Sequence, residues 1–161
     1  MDNSVFIHST VVPYEQVDLS WMAGRVVREV AGFEGGCWRF VFEQWEYIQT
    51  GCLWRIVKDN RLILTCEDHG QQFGLPAPID AGSKAMEEFA SAPVRAVVLR
   101  EATGDLLIEF EQGLRLEIIS NSAGYEAWEV HGPGRVCVVA QGGGQMSTWI
   151  QPVLQDPEDS N

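Results

Sequence analysis

Apolar and polar residues alternate along much of this chain. In "WRFVFEQ", Trp38, Phe40 and Phe42 interleave with Arg39, Val41 and Glu43; in "LLIEFEQ", Leu106, Ile108 and Phe110 interleave with Leu107, Glu109 and Glu111. A period of two is that of a strand with one buried face. The pattern predicts strands at about 26–31, 38–43, 46–50, 53–58 and 61–66, and again at about 94–100, 105–111, 114–119, 126–131 and 135–140. Turn sequences such as "KDNR" and "HGPGR" join them. Links this short imply antiparallel pairing.

The two series correspond. "GRVVREVAGFEGGCWRFVFEQ" (Gly24 to Gln44) aligns without a gap on "APVRAVVLREATGDLLIEFEQ" (Ala92 to Gln112) at an offset of 68. Further along the offset becomes 74, where Trp54 meets Trp128 and Arg61 meets Arg135. The six additional residues of the second series fall in "SNSAG", just before Tyr125. A short helix is expected ahead of each series. Asp18 would cap "LSWMA", which Gly24 ends, and Ser83 would cap "KAMEEFASA", which stops before Pro93. The expected fold is therefore α+β, mainly antiparallel β. It is built as two tandem repeats, about 18–74 and 80–150, each of one short helix plus about five strands. Residues 1–151 read as a single domain and 152–161 as a flexible acidic tail.

Composition narrows the class. A chain of 161 residues buries roughly 70% of its unfolded surface, which suffices for a core without metal or disulfides. No apolar run approaches the ~20 residues needed to span a bilayer. "MDNSVFIHST" lacks the basic start of a signal peptide. Cys37, Cys52, Cys66 and Cys137 form no CxxC pair. They are expected to be reduced, in a cytoplasmic protein. The net charge of −12 argues against nucleic acid as a ligand, because phosphate binding needs a basic face. It is compatible with a basic protein partner. A membrane partner is not expected.

"EDHGQQFGLPAPIDA", then "TGDLLIEFEQGLRLEIISNSAGYEAWEV" and "QGGG", resembles a family of small uncharacterised bacterial proteins over roughly Ser20 to Gln145. The two signatures are "DHGQQFG" and "TGDL" followed by "SAGYEAW". Domains of this size and style also resemble immunity proteins that neutralise bacterial toxins. The resemblance implies a binding protein and no assigned reaction.

No catalytic motif is present: there is no HExxH, GxSxG or phosphate loop, and "QGGGQ" reads as a flexible hairpin turn. No catalytic residue, cofactor or metal ligand is assigned. Candidate partner-binding residues are Tyr125 and Glu126 at the enlarged turn, and Asp68 and His69 in "CEDHG". Glu109, Glu111, Glu117 and Glu129 join them, because their phase opposite the apolar residues suggests one acidic sheet face. Trp38, Trp54 and Trp128 lie in buried phase, whereas Trp21, Trp45 and Trp149 are less determined. The expected function is non-catalytic binding, as an immunity-like protein. The alternatives are a homodimeric scaffolding module and a hydrolase-type enzyme using Asp68, His69 and Glu126, for which the "EDHG" and "GYE" turns must meet across one cleft.

Overall fold

The computed structural model describes residues 10–150. The expected tail at 152–161 lies outside them. Twelve strands appear in order: β1 (Thr10–Val12), β2 (Val27–Gly32), β3 (Trp38–Phe42), β4 (Tyr47–Thr50), β5 (Leu53–Lys58), β6 (Arg61–Thr65), β7 (Val94–Leu99), β8 (Leu106–Phe110), β9 (Leu114–Ile119), β10 (Trp128–His131), β11 (Val136–Ala140) and β12 (Met146–Ile150). One α-helix, α1 (Ala81–Phe89), separates β6 from β7. The first sheet runs β1-β12-β11-β10-β4-β3-β2 and the second runs β6-β5-β9-β8-β7. Every pairing in both sheets is antiparallel.

The alternation does what it predicts. Trp38, Phe40 and Phe42 of the first sheet and Trp54, Ile56, Leu106, Ile108, Phe110, Leu116 and Ile118 of the second join one buried cluster. Burial of each such side chain contributes about 1.5–3 kcal/mol. Trp38 and Phe40 meet Trp54 edge-on, at centroid distances of 5.1 and 5.4 Å. α1 packs on β2 and also touches β6. It adds Ala85 and Phe89 to the core. Gly82 permits that approach, since a Cβ there would stand 2.8 Å from the Val30 carbonyl.

Four expectations change. The first helix is only a 3-10 turn, Ser20–Met22. Asp18 does hold it, accepting from the Ser20 amide at 2.9 Å. Gly24, at φ +81°, then turns the chain toward β2 before a second turn can form. α1 starts two residues before Ser83, because Asp80 is its cap and accepts from the Ser83 amide. β1 and β12 extend the first sheet and were not expected. "QGGGQ" does link two antiparallel strands, but tightly. Gly144 is buried, and a Cβ at Gly142 would overlap the Gly124 backbone. Among the described residues no helix is long and apolar enough to cross a membrane.

Candidate functional site

Three loops meet at one end of the molecule: 100–105, 120–127 and 141–145. The link between β9 and β10 spans residues 120–127, whereas β4 and β5 are joined by Gly51 and Cys52 alone. The longer link is tied down at several points. Ser122 Oγ accepts from the amides of Gly124 and Tyr125, at 3.2 and 3.0 Å. Cys52 Sγ donates to Asn121 Oδ1 at 3.1 Å. Ala127 is held on both sides, its carbonyl by Thr50 Oγ1 and its amide by the Ala140 carbonyl. The Gly104 carbonyl accepts from Trp128 Nε1 at 2.7 Å and from Ser120 Oγ at 3.0 Å. Tyr14 donates its hydroxyl to the Gly144 carbonyl. On this braced base Tyr125 stands 81% exposed. Tyr125 and Glu126 edge an open hollow of about 640 Å³ whose wall includes Gln141, Gly142 and Gln145.

The four glutamates do not share a face. Glu109 and Glu117 lie on the outer side of the second sheet, Glu111 follows β8 in a turn, and Glu129 is on β10 of the first sheet. The single acidic face expected from their phase is therefore corrected, because strand phase carries no information about which sheet a strand joins. Nor is the outer side of the second sheet uniformly acidic. Glu117 is buried between Arg55 of β5 and Arg115 of its own strand. Burial pushes its carboxyl up, but hydrogen bonds from Arg55 and Arg115 outweigh it and hold the group below its ordinary value. Arg95 pairs with Glu109 at 2.7 Å. The result is a ladder of alternating charge.

Asp68 and His69 serve the local backbone. Asp68 accepts from the Thr65 amide at 2.8 Å and closes a capping box around the 3-10 turn Cys66–Asp68. His69 Nδ1 accepts from the Ala81 amide at the start of α1, and its ring meets Trp38 edge-on at 5.2 Å. Neither residue lines the hollow at Tyr125 and Glu126.

Residues 47–150 match the sequence model of DUF6188, a family of unknown function. The chain belongs to DUF6188. The match covers β4 through β12 and so includes the loops around Tyr125. No curated protein and no solved structure matches this DUF6188 chain.

Sequence reasoning found no ligand spacing among the cysteines and histidines. In this DUF6188 protein, Glu129 and His131 of β10 nevertheless meet Cys137 of β11. His131 Nε2 lies 3.2 Å from Glu129 Oε1 and 3.7 Å from Cys137 Sγ. Tyr47 stacks on the His131 ring at 4.2 Å. The hydrogen bond from His131 holds Glu129 below its ordinary value. Burial pushes the Cys137 thiol up to about 12, with smaller contributions from Glu129 and Glu126. The signal available in the sequence was Glu-x-His on one strand and a Cys on the next; only the register reveals that they are neighbours.

A second hollow, of about 450 Å³, lies between residues 14–23, which include the 3-10 turn Ser20–Met22, and β7. Its charged lining is already engaged: Asp18 holds Ser20 and Arg95 holds Glu109.

Proposed function

We propose that this chain is a non-catalytic binding protein whose recognition surface is the loop end around Tyr125 and Glu126. One observation carries the reading: Tyr125 is 81% exposed on a turn whose backbone is tethered by Ser122, Asn121 and Ala127. An exposed aromatic on a fixed base loses little conformational entropy on binding, and Tyr is a preferred anchor at interfaces. In its finer form the proposal is an immunity-like protein that neutralises a basic bacterial toxin. The net charge of −12 supports this, since complementary charge accelerates encounter. The test is capture of a basic partner, first of all the product of an adjacent toxin-sized gene. Tyr125→Ala should abolish capture without lowering Tm. Reversing Glu126 to Lys should slow association and flatten its salt dependence. Unchanged capture by both variants rejects this surface.

A second reading, a homodimer, is favoured by β6. It is an edge strand on which Leu62 and Ile63 are 58% and 41% exposed, and such edges pair readily with another chain. Sedimentation of the wild type against Leu62→Lys distinguishes a dimer from a monomer.

We also read the chain as two tandem repeats, about 18–74 and 80–150. The strand order supports this. β2–β4 and β7–β9 are each a three-strand meander, and each is followed by a hairpin (β5–β6 or β10–β11) in the opposite sheet. Phe42 and Phe110 both close the second strand of their meander. An experimental structure in which Phe42 fails to superpose on Phe110, and Trp54 on Trp128, rejects the repeat.

A further inference from the structure

The pleat of β10 and β11 turns Trp128, Val130, Val138 and Ala140 into the core. It therefore turns Glu129, His131 and Cys137 to the opposite face of the first sheet. Register places His131 directly across from Cys137, and Glu129 lies two residues before His131 on the same strand. A carboxylate, an imidazole and a thiol converge, with all their donor atoms within 4.8 Å of one another.

The two separations from the imidazole are those of a coordination shell, and the carboxylate and thiol lie within 4.8 Å of each other. Zinc holds His nitrogen at about 2.0–2.1 Å, carboxylate oxygen at about 2.0–2.2 Å and thiolate sulfur at about 2.3 Å, in tetrahedral geometry. These bond lengths put the N···O edge at about 3.4 Å and the N···S edge at about 3.6 Å. The observed values are 3.2 Å from His131 Nε2 to Glu129 Oε1 and 3.7 Å to Cys137 Sγ. Hydrogen bonds link these groups one pair at a time, whereas one cation engages all three atoms.

We infer that Glu129, His131 and Cys137 form a three-ligand site for a divalent transition metal of the zinc class, with its fourth position open to water or to a ligand. The mixed oxygen, nitrogen and sulfur set disfavours magnesium and calcium, which take oxygen ligands. The ligands sit on strands inside a seven-stranded sheet, β10 being flanked by β4 and β11, so their positions are fixed before an ion arrives. Tyr47 stacking holds the imidazole plane. Cys137 is buried and the Glu129 side chain is 27% exposed, so the ion enters past Glu129. On binding, the Cys137 thiol releases its proton to solvent and coordinates as thiolate.

The experiment titrates chelator-treated full-length protein with Co²⁺ and then with Zn²⁺. One equivalent of Co²⁺ should bind with a thiolate-to-cobalt charge-transfer band, which Zn²⁺ abolishes by displacement. Cys137→Ser should eliminate the band, and Cys66→Ser should leave it. Glu129→Gln should weaken Zn²⁺ binding at least about tenfold, the scale already reached by removing a ligand's outer-shell partner, while the metal-free protein still unfolds in one cooperative transition. If Cys137→Ser does not fold, Glu129→Gln and His131→Gln decide the matter by the same titration. Absence of the band in the unaltered protein, or Zn²⁺ affinity unaffected by Glu129→Gln and His131→Gln, overturns the site.

Discussion

Two tryptophans show how residues of the same type and burial differ in what they contribute. Trp54 and Trp128 are both buried. Trp128 Nε1 donates to the Gly104 carbonyl at 2.7 Å, whereas Trp54 Nε1 has no hydrogen-bond partner among the described residues and its ring is packed edge-on by Trp38 and Phe40. Replacing either by Phe removes the same volume, so the difference between the two substitutions isolates the hydrogen bond. Trp128→Phe should be more destabilising than Trp54→Phe by about 1 kcal/mol in urea unfolding. Equal losses would mean that the bond to Gly104 adds nothing. Glu117 yields a prediction in pH. Its folded pKa lies below the ordinary value of 4.5 because Arg55 and Arg115 hydrogen-bond its carboxylate. Its contribution to stability is therefore complete above that value and is lost as the pH falls through the lower folded value. Unfolding free energy should drop more steeply between pH 7 and pH 3 in the wild type than in Glu117→Gln. Parallel curves would reject the assignment. Sequence phase placed Glu117 on an outer face, which is correct. That Arg55 lies beside it depends on β5 pairing with β9, a contact between residues far apart in the chain.

Elements were legible in proportion to how many alternating positions they contain. Each of the ten expected strands is present with bounds within two residues of the pattern, because five or six alternating residues fix both phase and extent. β1 is only three residues long, and "MSTWI" of β12 places two small polar residues ahead of its aromatic, so neither shows a clear period. The first helix failed for the opposite reason: the five residues of "LSWMA" permit one turn and cannot offset the cost of nucleation. The candidate site was legible where it rests on a local insertion, as at Tyr125, and illegible where it needs register, as at Glu129, His131 and Cys137. The glycine loop belongs to the first group only in part. Its glycines read as freedom, yet Gly142 is there for space, since a Cβ would overlap Gly124 and Tyr125. Gly142→Ala should therefore destabilise by about 1–3 kcal/mol, as overpacking does, and should also weaken partner capture by moving the turn that carries Tyr125. Gly124 itself has open space around its would-be Cβ, so Gly124→Ala is the control. A Gly142→Ala protein with wild-type stability and capture would show that the loops at this end are not in close contact.

At the scale of the whole molecule, each sheet is made from both ends of the described chain. The first sheet is joined at β10 against β4 and at β1 against β12, and the second at β5 against β9. Cutting the chain in the linker between β6 and α1 would thus leave both sheets divided through their middle rather than separate the molecule into two sheets. Residues before the cut would retain β4 and β5 as unpaired edges. The remainder would expose β9 and β10 in the same way, with Trp54 and Trp128 losing the facing halves of their core. Neither part buries enough apolar area alone to offset the entropy of ordering it. The two parts together can restore every pairing except the severed linker. Fragments 1–75 and 76–161, prepared separately, should each lack cooperative unfolding, and a mixture at equal concentration should recover strand circular dichroism and a single thermal transition. The midpoint of that transition should rise with concentration, because association of the fragments now appears in the stability. A fragment that unfolds cooperatively by itself, with the same midpoint in the presence and absence of its complement, would show that one half is an independent unit and that the β4–β10 and β5–β9 pairings are not what holds the molecule together.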